Sequence, residues 1–229
     1  MHGKETQLQQ MLTRLRTRLL VMSASVGIAV DEACAALLEG NMGRASAVVD
    51  GDEAINDLEN EIDDLALALL ARNQPVAQDL RFVVASLRMV VDLERIGDEA
   101  ASIAERTLIL HDPLPEVVMG TVSKLMHSAC TLYKNAVESF RTGNFEMALE
   151  LCRNDDEITQ QEVAALQSFM ECFCFIPEQT GGIKHSFAVM HGILICRALS
   201  RICRRSANIA EHAYFITRGL TLKHKRCSG

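Results

Sequence analysis

Five residues have the types and the spacing to hold a metal ion: Asp52, Asn56, Asp92, Glu94 and Asp98. Glu94 and Asp98 are the centre of the group. On a helix, a four-residue separation puts both carboxylates on one face with Cβ atoms about 6 Å apart, near enough to share a cation and to repel each other without one. Asp52 and Asn56 have the same separation in an earlier segment, Asp92 and Glu99 add charge beside the central pair, and Gly97 sits between with no side chain. Oxygen donors from two antiparallel helices suit a hard or borderline cation such as Mg²⁺, Mn²⁺, iron or Ca²⁺. Neither segment contains histidine, which argues against a ferritin-like di-iron centre built on Glu-x-x-His. The competing reading of such a pair is a solvated acidic face.

Other chemistry is harder to assemble. No nucleophile with a base, no phosphate-cradling Gly-rich loop and no His/Asp triad is visible, and the seven histidines, His185 and His191 among them, read as ordinary helix residues. The eight cysteines show no paired CxxC spacing of a zinc knuckle. All eight, Cys34, Cys130, Cys152, Cys172, Cys174, Cys196, Cys203 and Cys227, are read as reduced core thiols, and Cys172/Cys174 and Cys196/Cys203, whose spacing could bind a soft metal, are left outside the site. The chain is therefore expected to bind rather than to catalyse.

The elements that must position these residues are helices. Trp is absent, aromatic residues are 4% of the chain and hydrophobic residues 48%, so helix formers dominate and a packed core is within reach. Apolar residues recur at three- and four-residue steps through Leu8, Met11, Leu12, Leu15, Leu19, Met22, Val26, Val30, Ala33 and Leu37, which predicts a helix over about 7–39. Gly40-Asn41 ends it. A second helix over 43–71 buries Val48, Val49, Ile55, Leu58, Ile62, Leu65 and Leu69 beneath a strongly acidic outer face. Asn73-Gln74-Pro75 breaks the chain, and Asp79 is placed to cap a third helix that runs to about Leu110.

His111-Asp112-Pro113-Leu114-Pro115 is the clearest boundary, because two prolines in three residues cannot continue a helix. Beyond it the pattern starts again. Gly40-Asn41 matches Gly143-Asn144 and Asp52-Glu53-Ala54-Ile55 matches Asp155-Asp156-Glu157-Ile158, both at an offset of 103. After a slightly longer loop at Pro177–Gly182, Arg95-Ile96 lies over Arg201-Ile202 and Ala101–Glu105 over Ala207–Glu211, at an offset of 106. The expected fold is all-α: two tandem three-helix bundles, 1–112 and 113–229, related by pseudo-twofold symmetry, with a frayed basic tail after Leu222.

Charge and hydropathy bound the setting. A net charge of -7 opposes general nucleic-acid binding, which needs a basic face. Arg14, Arg16 and Arg18 before the apolar run Leu19–Val30 imitate a signal peptide, but Asp31 and Glu32 interrupt the cleavage region and the run reads as a core helix. No uninterrupted run approaches the ~20 apolar residues of a membrane span, so a soluble, cytoplasmic protein is expected.

The segment Leu87-Arg-Met-Val-Val-Asp-Leu-Glu-Arg-Ile-Gly-Asp98, preceded by Arg72-Asn-Gln-Pro-Val-Ala-Gln-Asp-Leu-Arg81, resembles the PhoU family of phosphate transport system regulators over nearly the whole chain. The resemblance implies two three-helix repeats, each third helix carrying an E/DxxxD motif that binds metal, often iron in multinuclear clusters. Glu94-Arg-Ile-Gly-Asp98 fits that motif. It implies iron, manganese, magnesium or zinc at the first repeat. It further implies a non-enzymatic repressor of phosphate uptake and of the phosphate-starvation response. Such a regulator would act as a homodimer, by contact with the ATPase subunit of a phosphate ABC transporter and with a phosphate-sensing histidine kinase, reaching the membrane only through these partners.

The second repeat departs from the pattern. Ser200 and Arg204 stand where Glu94 and Asp98 do, Arg205 replaces Glu99, and Thr159 replaces Asn56. Residues 92–105 carry a net charge of -4 and residues 198–211 a net charge of +2. The second metal site is therefore expected to be missing, with Arg204 paired to an acid such as Asp155. Two other readings compete: a metal-free adaptor with an acidic docking face, and a carboxylate-bridged metalloprotein with a reaction of its own.

Overall fold

The computed structural model describes residues 2–110, 114, 116–152, 155–174 and 182–222, and every regular element among them is a helix. They are α1 (His2–Glu39), α2 (Met42–Asn73), α3 (Ala77–Leu110), α4 (Glu116–Thr142), α5 (Phe145–Leu151), α6 (Asp155–Cys174) and α7 (Gly182–Arg218). The proline-rich boundary apart from Leu114, the Pro177–Gly181 part of the second loop and the tail after Leu222 lie outside the described residues.

The same local chemistry turns the chain twice. Gly40 and Gly143 adopt positive φ (61° and 70°), a conformation open to a residue without Cβ. The asparagine that follows each caps the next helix: Asn41 Oδ1 accepts from the Arg44 amide and Asn144 Oδ1 from the Met147 amide, both at 3.1 Å. At the other turn Gln74 adopts the left-handed conformation that ends α2. Asp79 does not cap α3; it lies inside the first turn, which begins at Ala77, where its charge complements the helix dipole.

The predicted stripes form the core. Leu12, Leu15, Leu19, Met22, Val26 and Val30 of α1 are buried, as are Val48, Ile55, Ile62 and Leu69 of α2. The α2 set recurs every seven residues, two helical turns apart, and so lines one face of the helix. Among the described residues, the stretch of the second repeat equivalent to α2 is carried by α5 and α6.

Two seams join the repeats. Helices α3 and α7 pack along one, and α1 meets α4 along the other. Within α1 and α7, the spans Gln7–Glu39 and Ser186–Arg218 are long and apolar enough to cross a membrane by length and composition, although no uninterrupted apolar run reaches that length. Their apolar residues enter the core instead, among them Leu19, Met22 and Val26 of α1 and Ile195, Leu199 and Ile202 of α7.

Candidate functional site

Helix α3 presents two acidic faces, and they have different neighbours. Residues two apart on a helix point about 200° apart, so Asp92 cannot share a face with Glu94. Asp92, Glu99 and Arg106, at seven-residue spacing, all meet α7. Asp92 Oδ1 accepts from Arg205 Nη1 (3.1 Å) and Asn208 Nδ2 (3.2 Å), and His212 Nε2 lies 3.2 Å from Oδ2. Glu99 takes a two-pronged contact from Arg201 at 2.5 Å, and Arg106 Nη1 lies 3.5 Å from His191 Nδ1. As α3 residue numbers rise, their α7 partners fall, so the two helices run antiparallel. Asp92, expected beside the metal-binding pair, instead belongs to the repeat interface, where its oxygens are already occupied. Glu99 likewise leaves the pair.

Glu94 and Asp98 face α2. Gly97 makes that approach possible: a Cβ there would lie 3.2 and 3.3 Å from Ile55 carbons and 3.7 Å from Asp52 Oδ1. Asp52 and Asn56 are in long hydrogen-bond contact, Asn56 Nδ2 donating to Asp52 Oδ2 at 3.5 Å. Burial first, and then the charge of Asp98, raise the Asp52 carboxyl above its ordinary value. For Glu94 the same two causes, with a hydrogen bond shared with Asp98, push the carboxyl up to about 7. Arg95 opposes the shift, contacting Glu94 (3.3 Å) and Asp98 (3.1 Å) from an exposed position.

Sequence reasoning missed Glu59. Its carboxyl is raised by burial, with Asp63 and Asp98 adding to the effect, and it also raises Glu94, so it belongs to the same cluster. The signal was present in the repeat: Glu59 plus the offset of 103 is Glu162. In the second repeat Glu162 Oε2 accepts from Ser200 Oγ (2.6 Å) and Arg204 Nη2 (2.8 Å). These are the residues that replace Glu94 and Asp98. Arg204 is therefore ion-paired as expected, but to Glu162; the Asp155 side chain lies outside those described.

The first repeat thus gathers acids, and the second gives the equivalent acid two donors. The first cluster offers only oxygen, the donor set hard cations take, so its residues fit a metal in kind. Among the described residues, however, no three His, Cys, Asp or Glu side chains stand together in positions to hold an ion. A metal there would have to draw Asp52, Glu94 and Asp98 inward.

The class that fold and site define is an all-helical protein of two repeats, with an acid-rich cluster in one and an ion-paired counterpart in the other. The PhoU domain family matches residues 19–107 and 122–213, one stretch in each half. The chain belongs to that family. A protein of Pseudomonas putida named phosphate-specific transport system accessory protein PhoU homolog is 31% identical over 227 residues, 97% of this chain and 85% of that one. The Escherichia coli (strain K12) phosphate-specific transport system accessory protein PhoU is 24% identical over 213 residues, 93% of this chain and 86% of its own. The crystal structure of PhoU from Pseudomonas aeruginosa superposes with a TM-score of 0.85 at 29% identity, covering 93% of this chain and 99% of that one.

Proposed function

We propose that this chain regulates phosphate uptake and phosphate-starvation signalling by protein contact, with a metal ion held at the acidic face of the first repeat. Membership of the family and the names of the relatives support the phosphate role. Its partners are the ATPase subunit of a phosphate-specific ABC transporter and a phosphate-sensing histidine kinase, and the working form is a homodimer in the cytoplasm. Catalysis has no part in it.

The observation that carries the metal half of the reading is the convergence of Asp52, Glu59, Glu94 and Asp98 with Arg95 as the cation contacting it, while the equivalent acid of the second repeat has Ser200 and Arg204. Asp52, Glu94 and Asp98 would hold the ion, with Asn56 and Glu59 beside it. The ion would offset the burial and the neighbouring charge of Asp98 that together raise the Glu94 carboxyl, and would stiffen the α2/α3 face for a partner. Elemental analysis of the purified protein and of Asp98→Asn tests this, together with retention of each by the immobilised transporter ATPase. Metal in the parent and a deep loss in the variant are expected; equal metal in both sinks the metal site. Failure of both proteins to be retained sinks the partner.

The separation of the carboxylates favours a second reading, a metal-free acidic docking face for a basic partner. A melting temperature unmoved by Mn²⁺ or Fe²⁺, with ATPase binding intact and weakened by salt, selects it.

A further inference from the structure

The α1/α4 seam carries two thiols in contact, one from each repeat. Tyr133 Oη donates to the Ser23 carbonyl at 2.6 Å, and Lys134 pairs with Asp31 at 3.0 Å. A Cβ on Gly27 would lie 3.1 Å from the Tyr133 ring. These contacts fix the register of the two helices. Farther along the seam, Cys34 Sγ and Cys130 Sγ lie 3.9 Å apart. Both are free thiols; Cys34 is buried and Cys130 is partly open. Cys203 of α7 is near enough for its charge to be felt by Cys34 and to feel that of Cys130.

The pair is chemically unequal. The contact with Cys34 holds the Cys130 thiol below its ordinary value, while the same contact, reinforced by burial, holds Cys34 well above it. Cys130 is therefore the thiol that ionises and the one an oxidant can reach. Burial pushes Cys196 and Cys203 up to about 12, which leaves them little thiolate.

We propose that Cys34 and Cys130 are an oxidation site, forming a reversible disulfide with a hydroperoxide such as hydrogen peroxide and thereby stapling the two repeats. The Cys130 thiolate attacks one peroxide oxygen; the O–O bond breaks, an S–O bond forms, and the departing hydroxide takes up a proton to leave as water. The Cys34 sulfur then attacks the sulfenic sulfur of Cys130. The S–O bond breaks, the S–S bond forms, and the second hydroxide leaves with the Cys34 proton as water. Two thiols lose two electrons in all, and one peroxide gains them. An S–S bond is about 2.05 Å long, reached from 3.9 Å by side chains that already face each other. A dithiol reductant restores the pair by exchange.

The crosslink would join residues 96 apart in sequence across a seam otherwise held by non-covalent contacts. Closing so long a loop restricts the unfolded chain strongly in the loop-entropy account.

The test uses the full chain treated with one equivalent of hydrogen peroxide, alkylated, and mapped by peptide mass without reduction. A single Cys34–Cys130 crosslink removed by dithiothreitol is expected, with a thermal midpoint raised by about 5 °C or more. Cys130→Ser, at the partly open position, should abolish both effects. Cys203→Ala should keep the crosslink; its loss there in a folded protein would overturn direct pairing. Crosslinks elsewhere or between chains, over-oxidation of Cys130 without a crosslink, or unmodified thiols would also overturn the proposal.

Discussion

Glu94 is where the chain accepts an electrostatic cost. Its side chain is only 15% exposed, and burial with Asp98 moves its carboxyl from 4.5 up to about 7. The folded protein therefore holds this proton more tightly than the unfolded chain does. Stability is highest below pH 4.5 in this respect and is lost as pH rises through about 7. In metal-free protein, Glu94→Gln should bring only a few tenths of a kcal/mol at pH 5 and a gain on the order of 1–2 kcal/mol at pH 8, less than the full shift would give because solvent still reaches the site. Urea unfolding at the two pH values checks it; equal effects at both would refute the raised carboxyl. Asp92 is the opposite case, an acid whose three partners make it part of the structure.

At the level of the helix, the same position has opposite roles in the two repeats. Glu59 sits among acids and Glu162 between two donors. Without metal, Glu59→Gln should stabilise the protein by a few tenths to about 1 kcal/mol, and Glu162→Gln should destabilise it by about 1 kcal/mol. Chemical denaturation of the two variants measures the difference, and effects of like sign would contradict the pairing described. The helices themselves were legible in the sequence because periodicity and the Gly-Asn turns act within a few residues. So was the loss of acids in the second repeat. The neighbours of each acid were not, because they depend on which helix packs against which face. Nearness in sequence groups Asp92 with Glu94, whereas its seven-residue spacing to Glu99 and Arg106 marks another stripe. The pairing of Arg204 with Glu162 required the packing of α6 on α7.

For the whole molecule, the repeats are joined by a seam that buries charge. Removing Asp92 leaves Arg205, Asn208 and His212 without their shared acceptor. Asp92→Ala should therefore cost about 2–3 kcal/mol, somewhat less than a fully buried pair because Arg205 keeps some access to water. Calorimetry should show a lower midpoint, and elemental analysis an unchanged metal content, since Asp92 faces away from the acidic cluster. A drop in metal content in the folded variant would return Asp92 to the site.

Arg204, ion-paired to Glu162 beside the Ser200 hydroxyl, is a counterion on a tether. Its concentration beside that acid is set by the length of its side chain and is indifferent to dilution. Among the described residues, the exposed Arg95 is the cation in contact with the first repeat's acids, so further compensation is a proton, as at Glu94, or an ion from solution. The charge balance at Glu162 is thus the same in any solution, while that of the first repeat's acids varies with pH and with the ions around them.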